Sequence, residues 1–107
     1  MTECYRYAVD TYAQMTEDEK AKISLDLLYN AICYFRGDAK EIVQKLLRMD
    51  QTTRIKFGAT LAATRQKVKQ MHKATLAAMP ASGRSIFASP EVEDIIFYQV
   101  SNGLEIK

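Results

Sequence analysis

The side chains best able to do chemistry in this 107-residue chain are one histidine, two cysteines and a few clustered carboxylates. His72 could act as a general base, or as the partner of a thiol such as Cys33, because an imidazole exchanges its proton near neutral pH. At helical spacing it falls with Arg65, Lys69 and Lys73, which predicts a solvated surface histidine. Cys4 and Cys33 with that one histidine lack the ligand number and close spacing of a zinc site, so two free, buried thiols are expected, with no metal and no cofactor. The carboxylates group as Glu17-Asp18-Glu19 and as Glu91, Glu93 and Asp94. Acid and base catalysis needs one member of such a group in an apolar setting, whereas both groups fall in first helical turns, where capping and the helix dipole account for them. Asp26 interrupts an otherwise apolar helix, and an intrahelical pair with Lys22, on the same side as Asn30, is the expected explanation. Ser82-Gly83-Arg84-Ser85 lacks the lysine and second glycine of a nucleotide-binding loop and reads as a plain turn. No catalytic constellation remains, and the chain is not expected to be an enzyme.

The elements that would position these residues are helical. Glycine and proline are scarce, four and two, and fall where helical patterns stop. Thr16-Glu17-Asp18-Glu19 is a capping box, and the apolar stripe that follows predicts one central, most buried helix from Glu17 to Phe35, closed by Arg36 and a left-handed Gly37. Before it, Cys4, Ala8, Tyr12 and Met15 share one face of a first helix. Asp38 starts a short helix carrying Ile42, Val43, Leu46 and Leu47. Asp50 or Thr52 starts a long one near 51–79, with Phe57, Leu61, Thr64, Val68, Met71, Thr75 and Ala78 alternating in steps of four and three. Pro80 opens a connector with Ile86 and Phe87, and Ser89-Pro90-Glu91 starts a last helix over 92–100. The run Ile95 to Tyr98 is β-rich, but no second such run exists to pair with it. The expected architecture is all-α, a single helical domain over 1–107 with about five helices.

Three helix starts, Tyr12 to Glu19, Gln44 to Met49 and Ser89 to Tyr98, resemble a little those in the helical domain of the cyanobacterial orange carotenoid proteins. That domain is longer and uses tryptophan around its pigment; this chain has none, and no family is assigned on that basis.

Charge is distributed unevenly. Residues 1–38 carry four basic and seven acidic side chains, 39–84 ten and two, and 85–107 one and four, giving −3, +8 and −3 for a net +2. Arg54, Lys56, Arg65, Lys67, Lys69 and Lys73 are expected on the outer faces of the long helix, as in a helix that contacts phosphates. Aromatic residues are not interleaved with them, which favours an acidic protein partner over nucleic acid. Six tyrosines and five methionines suit an interface or a pocket for a flat apolar ligand. The apolar stripes exceed what one small bundle readily covers, so a homo-oligomer is expected. No apolar run approaches the roughly 18 to 20 residues of a membrane span, and the first residues lack a signal-peptide layout, so a cytoplasmic location is expected. The functional expectation is a small regulatory or adaptor module that docks a protein through an apolar helix face. Tyr5, Tyr12, Phe87 and Phe97 are the expected anchors, and Arg65, Lys67, Lys69 and Lys73 the steering charges. Nucleic-acid binding through 39–84 and carriage of an apolar small molecule are the alternatives.

Overall fold

The computed structural model describes residues 2–102, and among them it is all-α, with seven helices and no strand. They are α1 (Glu3–Ala13), α2 (Glu17–Lys22), α3 (Leu25–Phe35), α4 (Ala39–Arg48), α5 (Gln51–Ala78), α6 (Ala81–Phe87) and α7 (Pro90–Ser101). None of these helices is long and apolar enough to cross a membrane. The expected caps form: Thr16 and Glu19 make the reciprocal box, and Asp38, Asp50 and Ser89 each accept a backbone N–H of the following turn.

Two expected elements differ. The helix expected from Glu17 to Phe35 is two, because the Ser24 hydroxyl accepts the Leu27 N–H and caps a new start, with Ile23 extended between them. Ile23 is fully buried at this break. Its apolar side chain therefore continues the stripe that made the two helices look like one. The connector after Pro80 is also helical, so Ser82-Gly83-Arg84-Ser85 lies inside α6 and is not a turn. At the end of α3 the left-handed residue is Arg36, with φ 52°, and not Gly37. A non-glycine residue in this conformation is sterically costly, and the Arg36 guanidinium gains a stacking contact 4.3 Å over the Tyr98 ring.

α3 occupies the centre, packed by α1, α4, α5 and α7. Its Leu28, Ala31, Ile32 and Cys33 join Ala8, Ile42, Leu46, Leu61, Val68 and Phe97 in the core. Phe57 stacks on Phe35 at 5.6 Å, with the Tyr34 ring edge-on to both. α3 and α5 approach closely where Gly58 faces Leu27: an added Cβ would lie 3.3 Å from Leu27 Cδ1. Polar side chains tie the remaining corners. Arg54, expected on an outer face, is buried and donates to the Leu46 and Met49 carbonyls at 3.3 and 2.9 Å, satisfying the C-terminal end of α4. The Tyr7 hydroxyl accepts the Ala39 N–H at 2.9 Å and so fixes α1 against the start of α4.

The described residues extend 47 × 27 × 19 Å. Length along one axis comes from α5, whose 28 residues outrun the helices that cover it. Between His72 and Asp94 no residue is buried.

Candidate functional site

The densest polar chemistry converges on Arg65, in the middle of α5. Expected on the surface as a steering charge, it is only 4% exposed, because α3 and α7 close over it. Its Nε donates to Asn30 Oδ1 at 3.1 Å, and Nη2 to Cys33 Sγ at 3.4 Å, both on α3. Its Nη1 donates to Asp94 Oδ1 at 2.9 Å and to Glu93 Oε1 at 3.3 Å, both on α7. The guanidinium plane lies between two rings, 4.0 Å from the Phe97 centroid and 4.6 Å from that of Tyr29. A planar, delocalised cation can bury itself this way because its edge is hydrogen-bonded while its faces meet π-systems.

Asp94 is the other half of this arrangement. Its first-turn position predicts a carboxylate explained by the helix dipole, yet it is 4% exposed and ion-paired with Arg65. Tyr29 donates its hydroxyl to the same Oδ1 that Arg65 engages. Oδ2 is sealed from solvent and has no hydrogen-bond partner. The two thiols lie beside this carboxylate: Cys4 Sγ, Cys33 Sγ and a carboxylate oxygen of Asp94 all lie within 4.8 Å of one another. Cys33 is buried as expected, while Cys4 is half-buried at the edge of the cluster.

Burial holds these groups in their protonated forms. Cys33 is pushed up to about 12, first by desolvation and then by the negative charge of Asp94 and Cys4, against the opposing pull of Arg65. Cys4 is raised by the same two leading causes, and Tyr29 is raised by desolvation and by its hydrogen bond to Asp94. Burial acts alone to lower Arg65, but Tyr29, Cys33 and Asp94 outweigh it, and the guanidinium stays charged.

The other expected site residues separate. Phe97, expected as a partner anchor, is fully buried beneath Arg65 and belongs to the core. Tyr5 is half-buried with its ring edge-on to Tyr29 at 5.1 Å, and Tyr12 lies under the Lys20 ammonium. Lys67, Lys69 and Lys73 are exposed along α5, and Phe87 is 45% exposed on α6. His72, expected in solvent, is buried with Nε2 bonded to the Phe87 carbonyl, which pins the end of α6 to α5. Asp26 is exposed in the first turn of α3, and no ion pair with Lys22 forms, because the break at Ser24 takes the two residues off a common helix.

Two surface features combine apolar side chains with basic ones. One is the overhanging end of α5 with α6, where Ile86 is 72% exposed and Met71 and Phe87 about half exposed. The other is an open cleft of about 400 Å³ lined by Tyr34, Phe35, Met49 and Phe57, with Lys45 and Arg48 at its rim. The chain matches no protein-family model, no curated protein and no solved structure.

Proposed function

We propose that this chain is a small non-enzymatic interaction module that docks an acidic, amphipathic protein segment on the overhanging end of α5 and α6. One observation carries the reading: Leu76, Met79, Ile86 and Phe87 present apolar surface there, and no residue between His72 and Asp94 is buried. Charge supplies the partner's chemistry. From Gln51 to Pro90 the sequence has no aspartate or glutamate, and Lys67, Lys69, Lys73 and Arg84 are all exposed on the two helices that meet at this end. A partner bearing carboxylates around an apolar stripe would be steered by the lysines and anchored by Ile86 and Phe87 as their surface is desolvated.

The test is fluorescence anisotropy of labelled acidic amphipathic helical peptides, with a single-stranded oligonucleotide as the competing probe. Expected are peptide binding that weakens as salt rises, and a loss of at least about tenfold in affinity both in Ile86→Ser/Phe87→Ser and in Lys67→Glu/Lys69→Glu/Lys73→Glu. No peptide binding at low salt overturns the reading. So does tighter binding of the oligonucleotide that the apolar substitutions leave unchanged, which is the behaviour of a phosphate-contacting helix.

The cleft at Tyr34, Phe35 and Phe57 favours a second reading, carriage of a flat apolar molecule whose acidic group would meet Lys45 and Arg48. A mass spectrum of protein alone, taken after purification from its own host, counts against it.

A further inference from the structure

We propose that Cys4, Cys33 and Asp94 form a binding site for a thiophilic divalent cation of the zinc type, with Arg65 as the group that orients two of its ligands. This goes beyond the docking reading and is independent of it, since the cluster lies under α1, α3 and α7, away from α6.

Three observations converge. Two sulfurs and a carboxylate oxygen lie within 4.8 Å of one another although the residues come from three helices. Ligand atoms around a tetrahedral zinc stand about 3.5 to 3.8 Å apart, so closing the set requires shifts of about 1 Å. Asp94 Oδ2 is buried without any partner, an arrangement that leaves the desolvation of a carboxylate oxygen uncompensated unless something positive approaches it. Arg65 already donates to Cys33 Sγ and to Asp94 Oδ1, which is how outer groups commonly hold metal ligands in place.

The charges also balance. Binding displaces the thiol protons of Cys4 and Cys33 to solvent, forms two metal–sulfur bonds and one metal–oxygen bond, and changes no oxidation state. Two thiolates and the Asp94 carboxylate then face one dication and the Arg65 guanidinium, which sums to zero among the buried groups, with the partly exposed Glu93, also paired to Arg65, outside that sum. Cys4 is only half-buried, so the fourth tetrahedral position opens toward solvent and suits a water molecule.

Cobalt(II) is the probe, titrated anaerobically into the reduced full chain, followed by zinc. Expected are a one-to-one complex with thiolate-to-cobalt charge-transfer absorption, its displacement by zinc, and affinity lowered about a hundredfold in Cys4→Ser and in Cys33→Ser. Cys4→Ser is the safer variant for folding because the side chain is half-buried, and circular dichroism verifies that it folds. Asp94→Asn keeps the shape but removes the anionic ligand, and is expected to shift the cobalt spectrum. Absence of the charge-transfer band, or zinc affinity unchanged in both cysteine variants, overturns the site. Formation of a Cys4–Cys33 disulfide in air with no metal binding under reduction overturns it equally, by showing that the thiols meet for redox chemistry instead.

Discussion

The Arg65 region and the overhang of α5 with α6 share one helix, α5, and behave in opposite ways. Around Arg65, a cation, two carboxylates, two thiols and two aromatic rings are drawn together by four helices, and nearly every polar atom has found a partner. In the overhang Ile86 and Phe87 stay at the surface and Leu76 and Met79 are only half-buried, because the short α6 alone folds back on that end of α5. Burial follows from where the helices cross, and side-chain polarity alone does not set it. The interior pole is therefore where stability concentrates, and the overhang is where a partner can still gain by covering surface.

The largest effect is expected from breaking the interior pair. Arg65→Met leaves Asp94 buried and unpaired and should cost about 3 to 5 kcal/mol in urea unfolding, of which Asp94→Leu in the same background restores most. A loss below about 1 kcal/mol would mean that water reaches the pair and that the contrast between the two regions is false.

A second test uses pH. Cys33, Cys4 and Tyr29 are all raised, so the folded state holds their protons more tightly than the unfolded chain does. The Cys33 contribution is complete below its ordinary value of 9.0 and is lost as the pH climbs toward about 12. Stability should therefore fall above about pH 9, by up to about 1.4 kcal/mol per pH unit for each such group. Cys33→Ala should make the decline shallower; a profile identical to the parent's would show that Cys33 is not desolvated.

The smallest effect belongs to the overhang. Ile86→Ser/Phe87→Ser should change unfolding free energy by no more than about 0.5 kcal/mol per site, since little area is buried there. Amide hydrogen exchange sharpens the contrast: the amides of 74–88 should exchange well before those of 57–72. Equal protection in both stretches would place the overhang within the cooperative unit and remove the distinction.

Much of the architecture was legible along the chain because its signals are local. A capping side chain and the amide it accepts are two or three residues apart, so Thr16, Asp38, Asp50 and Ser89 mark helix starts without any knowledge of the fold. Ser24 carries the same signal, but Ile23 and Leu25 continue the apolar stripe across it, and periodicity hid the break. Apolar spacing likewise predicted α4 and α5 nearly to their ends, together with the central place of α3.

Electrostatic environment was not legible in this way. Arg65 and His72 share a helix with Lys67, Lys69 and Lys73, and their steps of four from Leu61 and Val68 put them on its buried stripe, but their residue types argued for the surface. What the spacing could not supply is the neighbours that make their burial tolerable: Asn30 and Cys33 lie 35 and 32 residues before Arg65, Glu93 and Asp94 lie 28 and 29 after it, and the Phe87 carbonyl lies 15 after His72. The meeting of Cys4, Cys33 and Asp94 has the same origin. Residue types and local spacing determined an all-α chain with a basic centre, because hydrogen bonds within a helix and its caps are short-range. Only the tertiary structure decided which charges are desolvated, because burial depends on surfaces brought together by helices distant in the chain.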